Sequence, residues 1–168
     1  MRGHGPGAAY CPRCAAALPG PPPCACAACG YRLFVNARPT VGLIVLDGRR
    51  FLAVRRVVPP RAGLWELPGG FCDGWEHPAD AALREAREEL GAAITLGRFI
   101  GMYVGSYEYQ SETLPVLDTF YLATLAGPVR LNAAEASEMT WFDLAKPPPL
   151  AFATMDRAVA DAARQVCR

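Results

Sequence analysis

The chain has 168 residues, 17 basic and 16 acidic side chains, a net charge of +1 and a hydrophobic content of 52%. That length suits one domain with a small appendage, and the apolar content excludes a disordered chain. The balanced charge excludes a broad basic field for nucleic acid, and the longest plainly apolar run, residues 41–46, is far too short to cross a bilayer. With no leader visible, a cytoplasmic location is expected, with no membrane partner.

Residues 1–38 read as a separate unit rich in turns, with the run Leu18-Pro-Gly-Pro-Pro-Pro23 predicted as a tight connection. Cys11-Pro-Arg-Cys14 and Cys26-Ala-Ala-Cys29-Gly30 form two Cys-x-x-Cys pairs, which together can present four thiolates to one tetrahedral metal. Seven cysteines, an odd number, favour reduced thiols over a disulfide framework. Cys24 competes with Cys26, but would open the second pair to Cys-x4-Cys. The expected ligands are therefore Cys11, Cys14, Cys26 and Cys29, around a structural Zn²⁺ with no open position for chemistry. Arg2, Arg13, Arg32 and Arg38 meet no acid before residue 47, and four thiolates on one Zn²⁺ add about −2 to offset them. His4 is expected to be disordered.

Residues 39–46 and 50–57 predict two strands joined at Asp47-Gly48, a hairpin signal. A loop through Pro59-Pro60 leads to a short strand at 64–67. A helix follows, with His77 as N-cap, Pro78 at its first position, Asp80 in its first turn and Gly91 as its stop. At about 100° per residue, Ala79, Ala82, Leu83, Ala86 and Leu90 share one face and Glu85, Glu88 and Glu89 the opposite one. Strands are predicted at 94–109, 116–125 and 138–142, and a closing helix at 151–166 with Phe152, Met155, Val159 and Val166 on one side. Strands alternating with two helices give an α/β fold, an α/β/α sandwich. Trp65, Phe71, Phe99, Phe120, Trp141 and Phe142 are read as core, and Cys72 and Cys167 as plain thiols.

Alone, Arg-Glu-Ala-Arg-Glu-Glu-Leu at 84–90 is the pattern of a solvated helix face, with Arg84 and Glu88 as an i, i+4 pair. The wider stretch says more. Gly70, five residues, Glu76, seven residues, Arg84-Glu85, two residues, Glu88-Glu89, one residue, Gly91 is a fixed pattern, preceded by Gly63-Leu-Trp-Glu-Leu-Pro-Gly-Gly70-Phe71. It resembles the Nudix box, G-x5-E-x7-R-E-U-x-E-E-x-G-U, with Ala86 and Ala92 at the aliphatic positions. The resemblance implies the Nudix α/β/α sandwich with a mixed sheet over residues 39–168, behind a zinc ribbon at 1–38. It further implies a Mg²⁺- or Mn²⁺-dependent hydrolase that splits the pyrophosphate of a nucleoside diphosphate linked to a moiety X. By the same resemblance Glu85, Glu88 and Glu89 hold the metal with the carbonyl of Gly69, and Arg84 orients them, backed by Glu76. The general base is Glu85 or Glu138, the latter by its Glu-x-x-Trp141 spacing, with Glu108 and Glu112 as weaker choices. The alternative reading is a non-catalytic Nudix-fold nucleotide sensor or regulator.

The moiety X is less marked. The ribbon is similar to that of the NADH pyrophosphatase group, but the downstream S-Q-P-W-x-F-P-x-S signature is replaced by Gly105-Ser-Tyr-Glu-Tyr-Gln-Ser111. The proline of many ADP-ribose pyrophosphatases is also missing. Arg55, Arg56, Arg61, Tyr107 and Tyr109 are the candidate substrate contacts, three for phosphate and two for a base, with edge protection as the alternative for the strand pair Arg55-Arg56. The expected partner is a small nucleotide, with a homodimer as the candidate assembly.

Overall fold

The computed structural model describes residues 9–166; Arg2, His4 and Cys167 lie outside them. The amino-terminal part holds a two-stranded antiparallel sheet, β1 (Cys24–Ala25) and β2 (Arg32–Leu33), so that its hairpin encloses the second Cys-x-x-Cys pair. The proline run ahead of it passes as a series of bends.

The main sheet is built around β3 (Arg38–Asp47). The other elements are β4 (Arg50–Arg56), β5 (Trp65–Glu66), β6 (Gly69–Phe71), α1 (Pro78–Leu90), β7 (Ile94–Tyr109), β8 (Glu112–Leu125), β9 (Ala136–Asp143) and α2 (Ala153–Val166). β3 runs parallel to β8 from Arg38↔Val116 to Val45↔Ala123, and the remaining pairings are antiparallel, so the sheet is mixed. The other edge of β3 is shared. β6 pairs with Thr40, Val41 and Gly42, and β4 takes over at Leu46 and Asp47, beyond the Gly48 turn. A gap opens in the sheet where β3 changes partner.

β6 is absent from the sequence expectations because Gly69-Gly70 reads as a loop. Its backbone lies so close to β3 that a Cβ on Gly69 would sit 2.1 Å from the Val41 carbonyl oxygen, and its φ of 143° suits glycine alone. β8 starts four residues before the expected 116, because the β7–β8 turn places Gln110 and Ser111 at positive φ without a glycine to mark it.

Alternation along the strands fills two cores. Val41, Leu43, Val45, Leu52 and Val54 face Ala81, Ala82, Ala86 and Leu90 of α1. Ile44, Phe51, Ala53 and Phe120 face Ala158, Val159 and Ala162 of α2. Period-2 strands between two helices make the α/β/α sandwich, and the alanines let both helices approach the sheet closely. Each large side chain buried there contributes about 1.5–3 kcal/mol. Phe71 and Phe99, expected in the core, are exposed at 37% and 47%, because Phe71 stands over a cavity and Phe99 sits at a bulge on the edge strand β7. No helix among the described residues is long and apolar enough to cross a membrane.

Candidate active site

Both Cys-x-x-Cys pairs fold as turns that end on a left-handed residue. Ala15 (φ 58°) follows Cys14, and Gly30 (φ 72°) follows Cys29. The Ala15 and Gly30 amides donate to the Cys11 and Cys26 carbonyls. The Cys11 and Cys29 sulfurs are 3.7 Å apart, as are those of Cys14 and Cys26. Among the described residues these four are the group whose metal-type ligand atoms all lie within 4.8 Å of one another, and Cys24 stands apart on β1. The amides of Cys29 and Ala28 pull the Cys26 thiol down to about 7, while Cys14, despite the Ala16 amide, is pushed up to about 12 by the neighbouring sulfurs, Cys29 foremost. A divalent ion displaces the shared protons from such a set.

At the other site, α1 begins where the His77 Nδ1 accepts the Ala79 amide at 3.1 Å, with Pro78 behind it, and ends on Gly91 at φ 57°. Its buried stripe is Ala81, Ala82, Glu85, Ala86, Glu89 and Leu90. The expected separation of apolar and acidic faces is therefore corrected. Leu83 and Ala79 are only half-buried, and Glu85 and Glu89 run alongside the alanines at i, i+4. They are buried because the helix side next to its apolar stripe faces the gap in the sheet.

Arg84 ties this helix to the loop before it. Its Nε and Nη2 donate to the two carboxylate oxygens of Glu76 at 3.0 and 2.8 Å, and Nη2 also reaches the Phe71 carbonyl at 3.0 Å. Its Nη1 donates to Glu85 at 2.8 Å and Glu88 at 3.0 Å. Held by Arg84 and by the Asp73 amide, Glu76 has its carboxyl lowered to about 2. A bidentate fork of this kind fixes geometry as well as charge.

The gap itself is a cavity of about 240 Å³. One end is acidic: Glu66 from β5, Glu85 and Glu89 from α1, and Glu135 just before β9. Burial pushes the carboxyl of Glu66 up to about 7 against the opposing pull of Arg56, with which it makes an ion pair. Burial likewise raises Glu85, and raises Glu89 well above the carboxylate range although the Gly69 amide donates to it at 2.9 Å. Glu135 adds a raising charge to all three. Gly70 makes the room, since a Cβ there would come within 2.5 Å of the Glu85 carboxylate.

This donor set fits a divalent cation. Buried carboxylates that raise one another are relieved by a hard positive ion, and magnesium takes one or two carboxylates while water and substrate oxygens complete its shell. Glu85, Glu89, Glu66 and Glu135 are the donors at the acidic end of the cavity.

The structure separates the candidates named from the sequence. Glu85, Glu89, Gly69 and Tyr107 line the cavity. Glu88 sits beside it, half exposed on Arg84. Glu138 is outside, pairing with Arg55 at 2.9 Å, and Arg55 lies over the Trp65 ring at 4.3 Å. Arg61 approaches Glu108 at 3.9 Å and the Phe152 ring at 5.5 Å. Tyr109 is half exposed near the β7–β8 turn, and Glu112 is exposed beyond it. Of the three arginines named for phosphate, Arg56 is the one at the cavity wall, and sequence reading missed Glu66, Glu135 and Asp118. A signal existed for one of them, since Glu66 is the acid between Trp65 and Leu67, and Arg56 faces in while Arg55 faces out because neighbours on a strand point opposite ways.

Comparison with known proteins places the chain in a family. The NUDIX domain family matches residues 36–162. An ADP-ribose pyrophosphatase of Methanocaldococcus jannaschii is 30% identical over 122 residues, which cover 73% of this chain and 71% of that protein. A MutT-like protein of Streptomyces ambofaciens is 28% identical over 100 residues, but they span only 59% of its length. The crystal structure of a NUDIX hydrolase from Nitrosomonas europaea shares the fold at 21% identity with a TM-score of 0.72, covering 94% of this chain and 89% of its own.

Proposed function

The chain belongs to the NUDIX family, and from that premise we propose a Mg²⁺-dependent hydrolase that cuts the pyrophosphate bond of a nucleoside diphosphate linked to a second moiety. The observation that carries the reading is the acidic end of the cavity, which Glu66, Glu85, Glu89 and Glu135 line beside the Gly69-Gly70 pair. On this reading Glu85 and Glu89 are the principal donors to the ion, assisted by Glu135, with Glu88 at the rim. Bound there, a divalent ion supplies charge neutralisation for the phosphate oxygens and acidifies a water.

The residues of the chain do the rest. Arg56, buried beside Glu66 and at the cavity wall, offers a guanidinium to a phosphate oxygen. Arg84 positions Glu85 and Glu88 without entering the cavity. Glu66 and Glu85 both face the acidic end and are the candidates to accept the proton of the attacking water. Glu138, tied to Arg55 outside the cavity, is given no such role.

The cysteine cluster belongs to the same proposal as a zinc site of structural purpose, with residues 1–38 as a ribbon unit ahead of the hydrolase domain. Four unpaired thiols suit the reducing cytoplasm, and a homodimer is the assembly to look for.

The test is phosphate release or product formation with Mg²⁺ across ADP-ribose, NADH, dinucleoside polyphosphates, nucleotide sugars and nucleoside triphosphates. Turnover on some member, lost about 10³-fold in Glu89→Gln with the fold retained, is the expected result. Tight nucleotide binding without turnover on any of them would replace the enzyme by the sensor reading.

A further inference from the structure

The other end of the cavity has a different character. Phe71, Tyr107 and Phe152 form an aromatic wall: the Tyr107 ring stacks on Phe152 with centroids 5.7 Å apart, and Phe71 meets Tyr107 edge-on at 5.2 Å. Within that apolar end lies one acid which the hydrolytic scheme does not use, Asp118 of β8. The strand register places Phe71, Thr40 and Asp118 in one row across β6, β3 and β8. The Thr40 hydroxyl donates to Asp118 Oδ1. No protein donor reaches Oδ2 among the described residues. Gly105 of β7 keeps that oxygen open, since a Cβ there would lie 3.2 Å from it.

Glu66 and Asp118 therefore differ within one cavity. Glu66 has an arginine; Asp118 has a hydroxyl on one oxygen and open space at the other. The guanidinium groups of Arg56 and Arg61 lie over the Phe152 ring at 5.4 and 5.5 Å and make no ion pair with Asp118. Water reaches the open Oδ2 from the cavity, and a ligand that displaces it must bring its own donors. A planar ring set against the aromatic wall would direct its edge at Asp118, and two carboxylate oxygens match two parallel N–H donors. Among the common bases, guanine carries that edge, a ring N–H beside an exocyclic amino group. Adenine sets its amino group beside an acceptor nitrogen, and hypoxanthine has the ring N–H without the amino group.

We propose that this end of the cavity is a nucleobase subsite in which Asp118, held by Thr40 and left open by Gly105, selects a guanine-type edge. This rests on the nucleotide reading of the cavity and adds the substrate class to it. A ribose diol also offers two adjacent donors, so the experiment separates sugar from base.

The test measures dissociation constants of the full chain for the α,β-methylene analogues of GDP, IDP, ADP and 2′-deoxy-GDP, with the wild type and with Asp118→Asn. Charged hydrogen bonds of this kind correspond to about 10- to 100-fold in affinity. The guanine analogue is expected to bind at least 10-fold tighter than the hypoxanthine one, the deoxy analogue to match guanosine within about threefold, and Asp118→Asn to erase the preference. Equal binding of guanine and hypoxanthine by the wild type, which needs no variant, would overturn the proposal. So would a preference that survives Asp118→Asn, or a loss confined to the deoxy analogue, which would assign Asp118 to the sugar. Because binding is read without turnover, selective binding with no hydrolysis would count against the enzyme reading alone, and hydrolysis indifferent to the base against this one alone.

Discussion

The cysteine cluster and the carboxylate cavity solve opposite problems with the same kind of donor excess. The four sulfurs converge within 4.8 Å on turns only a few residues long, and each is supplied by backbone that has little else to fix it. The carboxylates stand on α1, β5 and the approach to β9, elements already fixed by two cores, and they are kept apart by Arg84 and Arg56. A closed set of ligands makes the ion part of the fold; an open set on a finished scaffold leaves coordination positions for substrate. On the proposed reading, an ion's free energy goes into folding at the cysteines and into chemistry at the carboxylates.

The sharpest way to break the contrast is at the cysteines. Cys11→Ser with Cys14→Ser is expected to abolish binding of about one Zn²⁺ per chain and leave the first 38 residues protease-sensitive, while hydrolysis changes by less than about threefold. Zinc analysis, limited proteolysis and initial rates read it. A collapse of the whole chain would show that the ribbon is not an independent unit.

At the carboxylate end, the arginine fork should matter through position. Glu76→Gln loosens Arg84, and should weaken Mg²⁺ activation by about 10- to 100-fold while the melting temperature moves little. An unchanged Mg²⁺ dependence would make the fork a purely structural tie.

The pH dependence separates the two ends again. The folded pKa of Glu66 lies above its unfolded value, so the folded chain binds more protons between about 4.5 and 7. That contribution to stability is fully present below about 4.5 and is lost as pH rises through about 7, by on the order of 1–3 kcal/mol, with Glu85 and Glu89 acting in the same direction. Melting curves of the metal-free chain should fall over that window, and Mg²⁺ should restore the loss at its upper end. A melting temperature that rises with pH without Mg²⁺ would contradict the burial argument.

The smallest effect lies in the two cysteine turns. Gly30→Ala places a Cβ on a left-handed residue with nothing else in its way, and should weaken zinc retention by about 1 kcal/mol. Ala15→Gly relaxes the matching position in the first turn and should be neutral or slightly stabilising. Competition with a chelator measures both.

Local signals made much of this legible. His77, Pro78 and Gly91 bound α1 because caps depend on adjacent residues, and Asp47-Gly48 marks the first hairpin for the same reason. The Cys-x-x-Cys spacing separates Cys26 from Cys24. What stayed hidden depends on register between distant strands. Glu135 and Glu138 are three residues apart, yet only the way β9 lies on β4, with its irregularity between Val54 and Arg56, places one at the cavity and the other against Arg55. Arg56 rather than Arg55 faces inward by the two-residue repeat of β4, whose phase the sequence does not state. Asp118 sits in a mostly apolar strand, and its place at the cavity beside Thr40 emerges only from the parallel pairing of β3 with β8.

Arg84 has one more consequence. By bonding Glu85 and Glu88 from a single nitrogen, it acts as an internal stand-in for positive charge when no ion is near. A newly synthesised chain can thus complete its catalytic half before encountering magnesium, so a falling supply of the ion would silence the enzyme without sending it to degradation. If the cysteine cluster holds zinc as proposed, no hydrogen-bonded cation among the described residues takes the ion's place there, and a cell short of zinc would register the shortage as misfolded protein.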